Sequence, residues 1–148
     1  MKTPDASTAA AATFYLHLRP EAPPPVLHVP RPFRCVLVLE TNVGAFWQAA
    51  VSDWLVASGC LYALAVGPAC SSWDDAIDMA VLERFDFGDI PEESLVMTTW
   101  HEHDTLGEVF EFAKLWAHHS TEPLVATLLL HIAADPREAQ MLEAFAAA

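Results

Sequence analysis

Four short runs of apolar residues, each followed by apolar residues at helical spacing, constrain the fold of this chain more than any other feature. The runs cover residues 35–39, 61–66, 95–100 and 125–132. Continuous apolar runs are typical of strands buried on both faces, as in a parallel sheet that is covered by helices. Four strands that alternate with four helices therefore predict an α/β domain with right-handed crossovers.

The residues that would start two of the helices are recognisable. Ser71 or Ser72 is predicted to cap the second helix, with Asp74 and Asp75 in its first turn, where the helix dipole favours negative charge. Thr105 heads a segment that fits a capping box at the start of the third helix. Both signals support the division of the chain into βα units.

The whole pattern resembles flavodoxin-like and Rossmann-like architecture, which implies a small three-layer domain with a mostly parallel four-stranded sheet. With the four runs numbered along the chain, the strand order common in that architecture is 2-1-3-4. The first helix would then cover one face, and the second and third helices the other. Residues 13–19 alternate apolar and polar side chains, which predicts an extra N-terminal edge strand.

The chain divides into three parts by composition. We expect a disordered tail at residues 1–12, an edge strand and a proline-rich arm at residues 13–32, and a single α/β domain at residues 33–148. A chain of 148 residues is of the usual size for one domain.

The charge balance argues against several classes of partner. Seven Lys and Arg residues stand against 20 Asp and Glu residues, which makes the formal net charge −13. This charge opposes phosphate backbones and anionic membranes, and no apolar run is long enough to span a bilayer.

Three cysteines without a CxxC pair, and no recognisable secretory signal, predict reduced thiols in a cytoplasmic protein. A basic protein partner would suit the acidic surface.

Ionisable residues follow the predicted strands at their carboxyl ends, where open parallel sheets bind ligands. His101 and His103 lie two residues apart, so in an extended backbone both imidazoles would face one way. Glu40, Asp104 or His131 could complete a zinc shell around them and so support a small metal-dependent hydrolase. The alternative is that the histidines belong to a solvated loop.

Other catalytic candidates are weaker. Glu102 or Glu40 could act as a general base beside a histidine without metal. Cys70 precedes a predicted helix, where a thiolate would be stabilised, although a simple turn explains the same residues. The absence of a glycine-rich phosphate loop argues against a nucleotide or flavin cofactor.

The first helix is apolar around most of its circumference, which indicates burial on more than one side. Its second cover could be the last helix, the N-terminal arm or another subunit. Our leading hypothesis is therefore a non-enzymatic binding or interaction protein without a cofactor, which acts on a protein partner or self-associates. The zinc-dependent hydrolase is the alternative.

Overall fold

Five parallel strands and four helices make up the computed structural model, which describes residues 12–148. The strands are β1 (Ala12–Leu18), β2 (Phe33–Leu39), β3 (Cys60–Val66), β4 (Met97–His101) and β5 (Ala126–Ile132). The helices are α1 (Ala45–Ala57), α2 (Cys70–Arg84), α3 (Leu106–Leu115) and α4 (Glu138–Ala147). The predicted α/β class and the additional edge strand are confirmed.

The strand order differs from the prediction. The sheet runs β1-β5-β2-β3-β4, so the four apolar runs take the order 4-1-2-3 in place of 2-1-3-4. The chain steps from β2 to β3 to β4 in one direction and then returns across the sheet to β5. The hydrophobic pattern does not show on which side of β2 the next strand pairs. The predicted order was therefore taken from the order common in related folds, and it is wrong for this chain.

The new order also changes which helices share a face. Right-handed crossovers place the helices of steps in one direction on one face and the helix of the return step on the other. Accordingly, α1 and α2 contact each other on the first face, while α3 and α4 contact each other on the second. The prediction that the first helix lies on a different face from the second is therefore wrong.

Each face of the sheet has its own core. Leu37 of β2 packs with Val51 of α1 and Trp73 of α2 in the first, whereas Val36 packs with Phe110 of α3 in the second. The alternation of neighbouring β2 side chains between the two cores follows from the pleat of the strand. Fully burying one such side chain contributes about 1.5–3 kcal/mol, so both layers hold the sheet in place.

The segment between β1 and β2, which we call the arm (residues 19–32), packs on α1. The indole Nε1 of Trp47 donates to the carbonyl of Ala22 at 2.7 Å, and that of Trp54 donates to the carbonyl of Pro25 at 2.7 Å. Of the three covers considered for the first helix, the arm of the same chain is the one seen. Ala12 begins β1, and the rest of the predicted N-terminal tail lies outside the described residues.

Of the two predicted helix starts described above, one is right. Thr105 Oγ1 accepts from the Glu108 N–H at 3.2 Å, and Glu108 Oε1 accepts from the Thr105 N–H at 2.8 Å, as a capping box requires. The second helix, in contrast, begins at Cys70, after Ala69 in the left-handed region. Asp74 and Asp75 therefore lie in the second turn of α2, and the prediction that they lie in its first turn is wrong.

Within residues 12–148, no helix has both the length and the apolar character that crossing a membrane requires.

Candidate functional site

The strand order places the point of reversal between β5 and β2. The chain leaves β2 towards α1 on one face and leaves β5 towards α4 on the other, which opens a crevice between the two carboxyl ends. Glu40 follows β2, and His131 lies near the end of β5. The structure thus brings together two of the predicted site residues.

His131 is fully buried and lies in the middle of a chain of hydrogen bonds. Its Nδ1 is 2.7 Å from the hydroxyl oxygen of Tyr15, and its Nε2 is 2.8 Å from Oε2 of Glu40. The backbone N–H of Arg137 donates to the same Tyr15 oxygen at 2.9 Å. The Tyr15 hydroxyl can then donate to Nδ1, and the Nε2 proton is donated to the Glu40 carboxylate.

The Glu40 carboxylate also pairs with the Arg137 guanidinium. Nη1 of Arg137 donates to Oε1 at 3.2 Å, and Nη2 donates to Oε2. The hydrogen bond from Arg137, followed by that from His131, keeps the pKa of Glu40 below its ordinary value despite partial burial. Glu40 is therefore ionised at neutral pH, and its charge is balanced inside the network.

Within this network the His131 ring is shielded from solvent, whereas the Glu40 and Arg137 side chains are partly exposed. A general base must come within hydrogen-bond distance of the proton that it removes, directly or through one water. Both ring nitrogens of His131 are already bonded, and the ring has no exposed surface. Hydrogen bonds among Tyr15, Glu40, His131 and Arg137 join β1, β2, β5 and the start of α4.

The residues at the end of β4 form a separate group. His101 Nδ1 is 2.8 Å from Oδ2 of Asp104, and His101 Nε2 is 3.0 Å from the hydroxyl of Thr99. The imidazole lies edge-on to the Phe112 ring, with 5.1 Å between centroids. His101 is therefore held as a buried residue that packs on α3.

The predicted zinc ligands are not gathered around one point. β4 ends at His101, so His103 lies in the following turn and is exposed, as is Glu102. Three strand spacings, roughly 14 Å, separate β4 from the β5 strand that carries His131. Across residues 12–148, no three His, Cys, Asp or Glu side chains converge on a position that could hold a metal ion.

The cysteine thiols are all buried. Cys70, the candidate nucleophile, begins α2 with almost no exposed surface, so its Sγ is closed to a substrate. Burial raises the pKa of Cys60 to about 12 and raises that of Cys35 as well. Both thiols are therefore protonated at neutral pH and pack as small apolar side chains.

The outer edge of β4 is the most exposed apolar feature of the sheet. β4 pairs with β3 alone, so its other side is free of any strand among the described residues. Met97 is 46% exposed and Trp100 is 49% exposed. Natural edge strands are usually guarded by charged residues, proline or a bulge, and Met-Thr-Thr-Trp-His has none of these before its terminal His101.

An acidic cluster on α2, consisting of Asp74, Asp75 and Asp78, lies beside this edge. Oδ1 of Asp78 accepts from the hydroxyl of Thr98 on β4 at 3.1 Å. Partial burial, and then the charges of Asp74 and Asp75, raise the pKa of Asp78 against the effect of that hydrogen bond. Asp74 is nine-tenths buried, and its Oδ1 accepts no hydrogen bond within the described part of the chain.

Sequence reasoning missed several residues of these two sites. Tyr15 reaches His131 only because β1 and β5 are neighbours, and Arg137 reaches Glu40 only because β5 and β2 are neighbours. Residues 15 and 131, like residues 40 and 137, lie far apart in the chain. Asp78 and Trp100 carried no signal of their own either. Once β4 is known to be an edge, its lack of charged residues is the signal to look for.

A family model matches residues 13–148, which is nearly the whole chain; its description is "Domain of unknown function (DUF7684)". No curated protein and no solved structure matched the sequence. By the extent of the family match, the chain belongs to the DUF7684 family.

Proposed function

We propose that this protein is a non-enzymatic protein-binding module, which pairs the free edge of β4 with an extended segment of a partner. The observation that carries the proposal is the unguarded β4 edge with Met97 and Trp100 half exposed. Strand addition of this kind takes its affinity from backbone hydrogen bonds and its specificity from alternate side chains.

The other edge of the sheet is a poorer binding surface. β1 is also paired on one side only, by β5. Its apolar side chains Phe14 and Leu16 pack against the core, and α4 contacts the strand on the second face. A segment that paired with β1 would gain backbone hydrogen bonds but little apolar contact. β4 offers both.

The polar residues support binding rather than catalysis. His131 bonds both Glu40 and Tyr15, and His101 bonds Asp104 and Thr99. Each of these groups already has a partner in the folded chain. Binding of a partner segment at the β4 edge does not require a free acid, base or nucleophile.

A partner of different composition is favoured over a second copy of this chain. Two copies would each bring a formal charge of −13 to the contact. Like charges repel, and the repulsion grows when the two acidic surfaces approach within a Debye length, about 8 Å at physiological salt. Pairing of β4 with the β4 strand of a second copy is therefore less favourable than pairing with a partner segment that is not acidic.

The test uses a phage-displayed library of random linear peptides, selected on the intact protein. We expect selected peptides to slow hydrogen exchange at the amides of residues 97–101. Trp100→Ala should weaken their binding, because it removes apolar contact beside the edge. Phe46→Ala is the matched control, because Phe46 is 96% exposed on α1 and belongs to a different surface.

Three results would overturn the proposal. One is a library that yields no binding peptide. Another is peptides that protect α1 and lose affinity with Phe46→Ala but not with Trp100→Ala. The third is a concentration-dependent dimer in sedimentation that protects the β4 amides, because a second copy would then be the occupant.

A further inference from the structure

We infer that the segment that pairs with β4 is basic, and that its lysine or arginine side chains bind the acidic cluster formed by Asp74, Asp75 and Asp78. This inference rests on the proposed function, because it names the chemistry of the partner at the same edge. On this inference, the acidic cluster is the part of the surface that gives the binding site its preference for basic partner segments.

The geometry places the cluster within reach of an added strand. α2 packs over β4, and the Thr98–Asp78 hydrogen bond of 3.1 Å shows that this carboxylate lies directly over the strand. A strand paired with the outer side of β4 would lie about 4.8 Å further out. Every second side chain of that strand would point to the α2 face. The four-carbon stem of a lysine is long enough to reach back to Asp78.

The charge of the cluster is not balanced by the chain itself. The ion pairs among the described residues are His101–Asp104, His131–Glu40 and Arg137–Glu40, and none involves the cluster. Asp74 is nine-tenths buried with one carboxylate oxygen unbonded. An unsatisfied buried oxygen is costly, and in a folded protein it calls for an explanation.

Although the buried Oδ1 of Asp74 is itself out of contact, a cationic side chain from a partner would offset the charge of the exposed Asp75 and Asp78 carboxylates. It would add an attractive charge beside three carboxylates whose mutual repulsion already favours protonation of Asp78. The effective dielectric constant would also fall when the partner strand excludes water, which strengthens the attraction. Trp100 shares the α2 face of β4 with Thr98, so its ring would contact the apolar stem of the basic residue, whereas Met97 lies on the opposite face.

The test compares three synthetic peptides that alternate β-branched residues with lysine, glutamine or glutamate. Their binding to the intact protein is followed by fluorescence anisotropy at low salt. We expect affinity to decrease in the order lysine, glutamine, glutamate. The preference for lysine should be lost at about 0.5 M sodium chloride, where exposed charges are strongly screened.

Two double variants of equal charge separate a local site from the general acidity of the protein. Asp75→Asn with Asp78→Asn should weaken the lysine peptide on the order of fivefold to tenfold, as expected for two exposed ion pairs. The control is Asp53→Asn with Glu143→Gln, at exposed positions on α1 and α4. It changes the net charge equally and should leave the affinity within about twofold.

The outcomes distinguish this inference from the proposed function. If peptides of all three kinds bind with equal affinity and protect the β4 amides, the edge binds extended segments. The proposed function then stands, and the inference of a basic partner is wrong. If both double variants weaken the lysine peptide equally, the attraction is to the whole molecule and the inference fails. If no peptide protects β4, both the inference and the proposed function fail.

Discussion

At the scale of single residues, the structure uses its polar side chains mainly to join elements. Tyr15 is the clearest case, because its hydroxyl bonds the buried His131 and accepts from the backbone of Arg137. One oxygen atom thus connects β1, β5 and the start of α4. His131 depends on it, because no water reaches the ring to replace a lost partner.

Tyr15→Phe tests this role. We expect the free energy of unfolding to fall by about 1–3 kcal/mol, because the substitution leaves a nitrogen of a buried imidazole without a hydrogen bond. Urea denaturation at neutral pH measures the change. In a His131→Leu background the same substitution should cost less, which a double-mutant cycle would show. An unchanged stability in the first background would mean that the hydroxyl does not support His131.

At the scale of elements, α2 and β4 carry the most informative contact. Thr98 of β4 donates to Asp78 of α2, yet burial and the neighbouring carboxylates raise the pKa of Asp78. The folded protein therefore holds an ionised Asp78 at a cost in stability. Costs of this kind are common where a surface is suited to binding rather than to stability.

The pH dependence of stability follows from the raised pKa. Between the ordinary value of 3.8 and the higher folded value, the folded chain binds more protons at Asp78 than the unfolded chain. The contribution of Asp78 to the free energy of unfolding therefore decreases as the pH rises through this window, and the cost remains at neutral pH. Below 3.8 both states are protonated and the cost disappears.

Asp78→Asn should accordingly raise the melting temperature at about pH 7, and the gain should shrink at about pH 3.5. The amide oxygen still accepts from Thr98, so the substitution removes mainly the charge. Asp53→Asn on α1 is the control for a general loss of one negative charge. A lower melting temperature for Asp78→Asn at neutral pH would mean that the bond from Thr98 to the charged carboxylate outweighs the repulsion.

The elements themselves were largely predictable. The apolar runs identified four strands within a few residues of their ends, and the alternation over residues 13–19 identified β1. The capping box at Thr105 and Glu108 was right because both partners are local in the chain. The start of α2 was missed because Ala69 takes a left-handed conformation and the helix begins without a side-chain cap.

At the scale of the whole molecule, negative charge dominates. Twenty Asp and Glu residues oppose seven Lys and Arg residues. Arg34 and Arg137 are further occupied by contacts within the chain, Arg34 with the carbonyl of Ala117 and Arg137 with Glu40. The negative surface charges therefore repel one another. This repulsion is stronger in the compact folded state than in the expanded unfolded chain, so it lowers the free energy of unfolding.

Added salt should stabilise the protein for this reason. We expect the urea midpoint of unfolding to be higher in about 0.3 M sodium chloride than at low salt, since screening reduces the repulsion over distances beyond a few ångströms. Guanidinium chloride is unsuitable because it is itself a salt. A midpoint that falls with salt would mean that attractive pairs such as Glu40–Arg137 contribute more than the repulsion.

The sequence by itself determined the α/β class, the extra edge strand, the acidic character and the position of Glu40 and His131 at the carboxyl ends of two strands. These follow from patterns that are local along the chain: continuous apolar runs, helical spacing and counts of charge. The tertiary structure alone decided which strands are neighbours, because that depends on where the chain crosses the sheet after α3. The strand order then separated His101 from Glu40, joined Tyr15 to His131 and Arg137 to Glu40, and left the edge of β4 open beside an acidic helix.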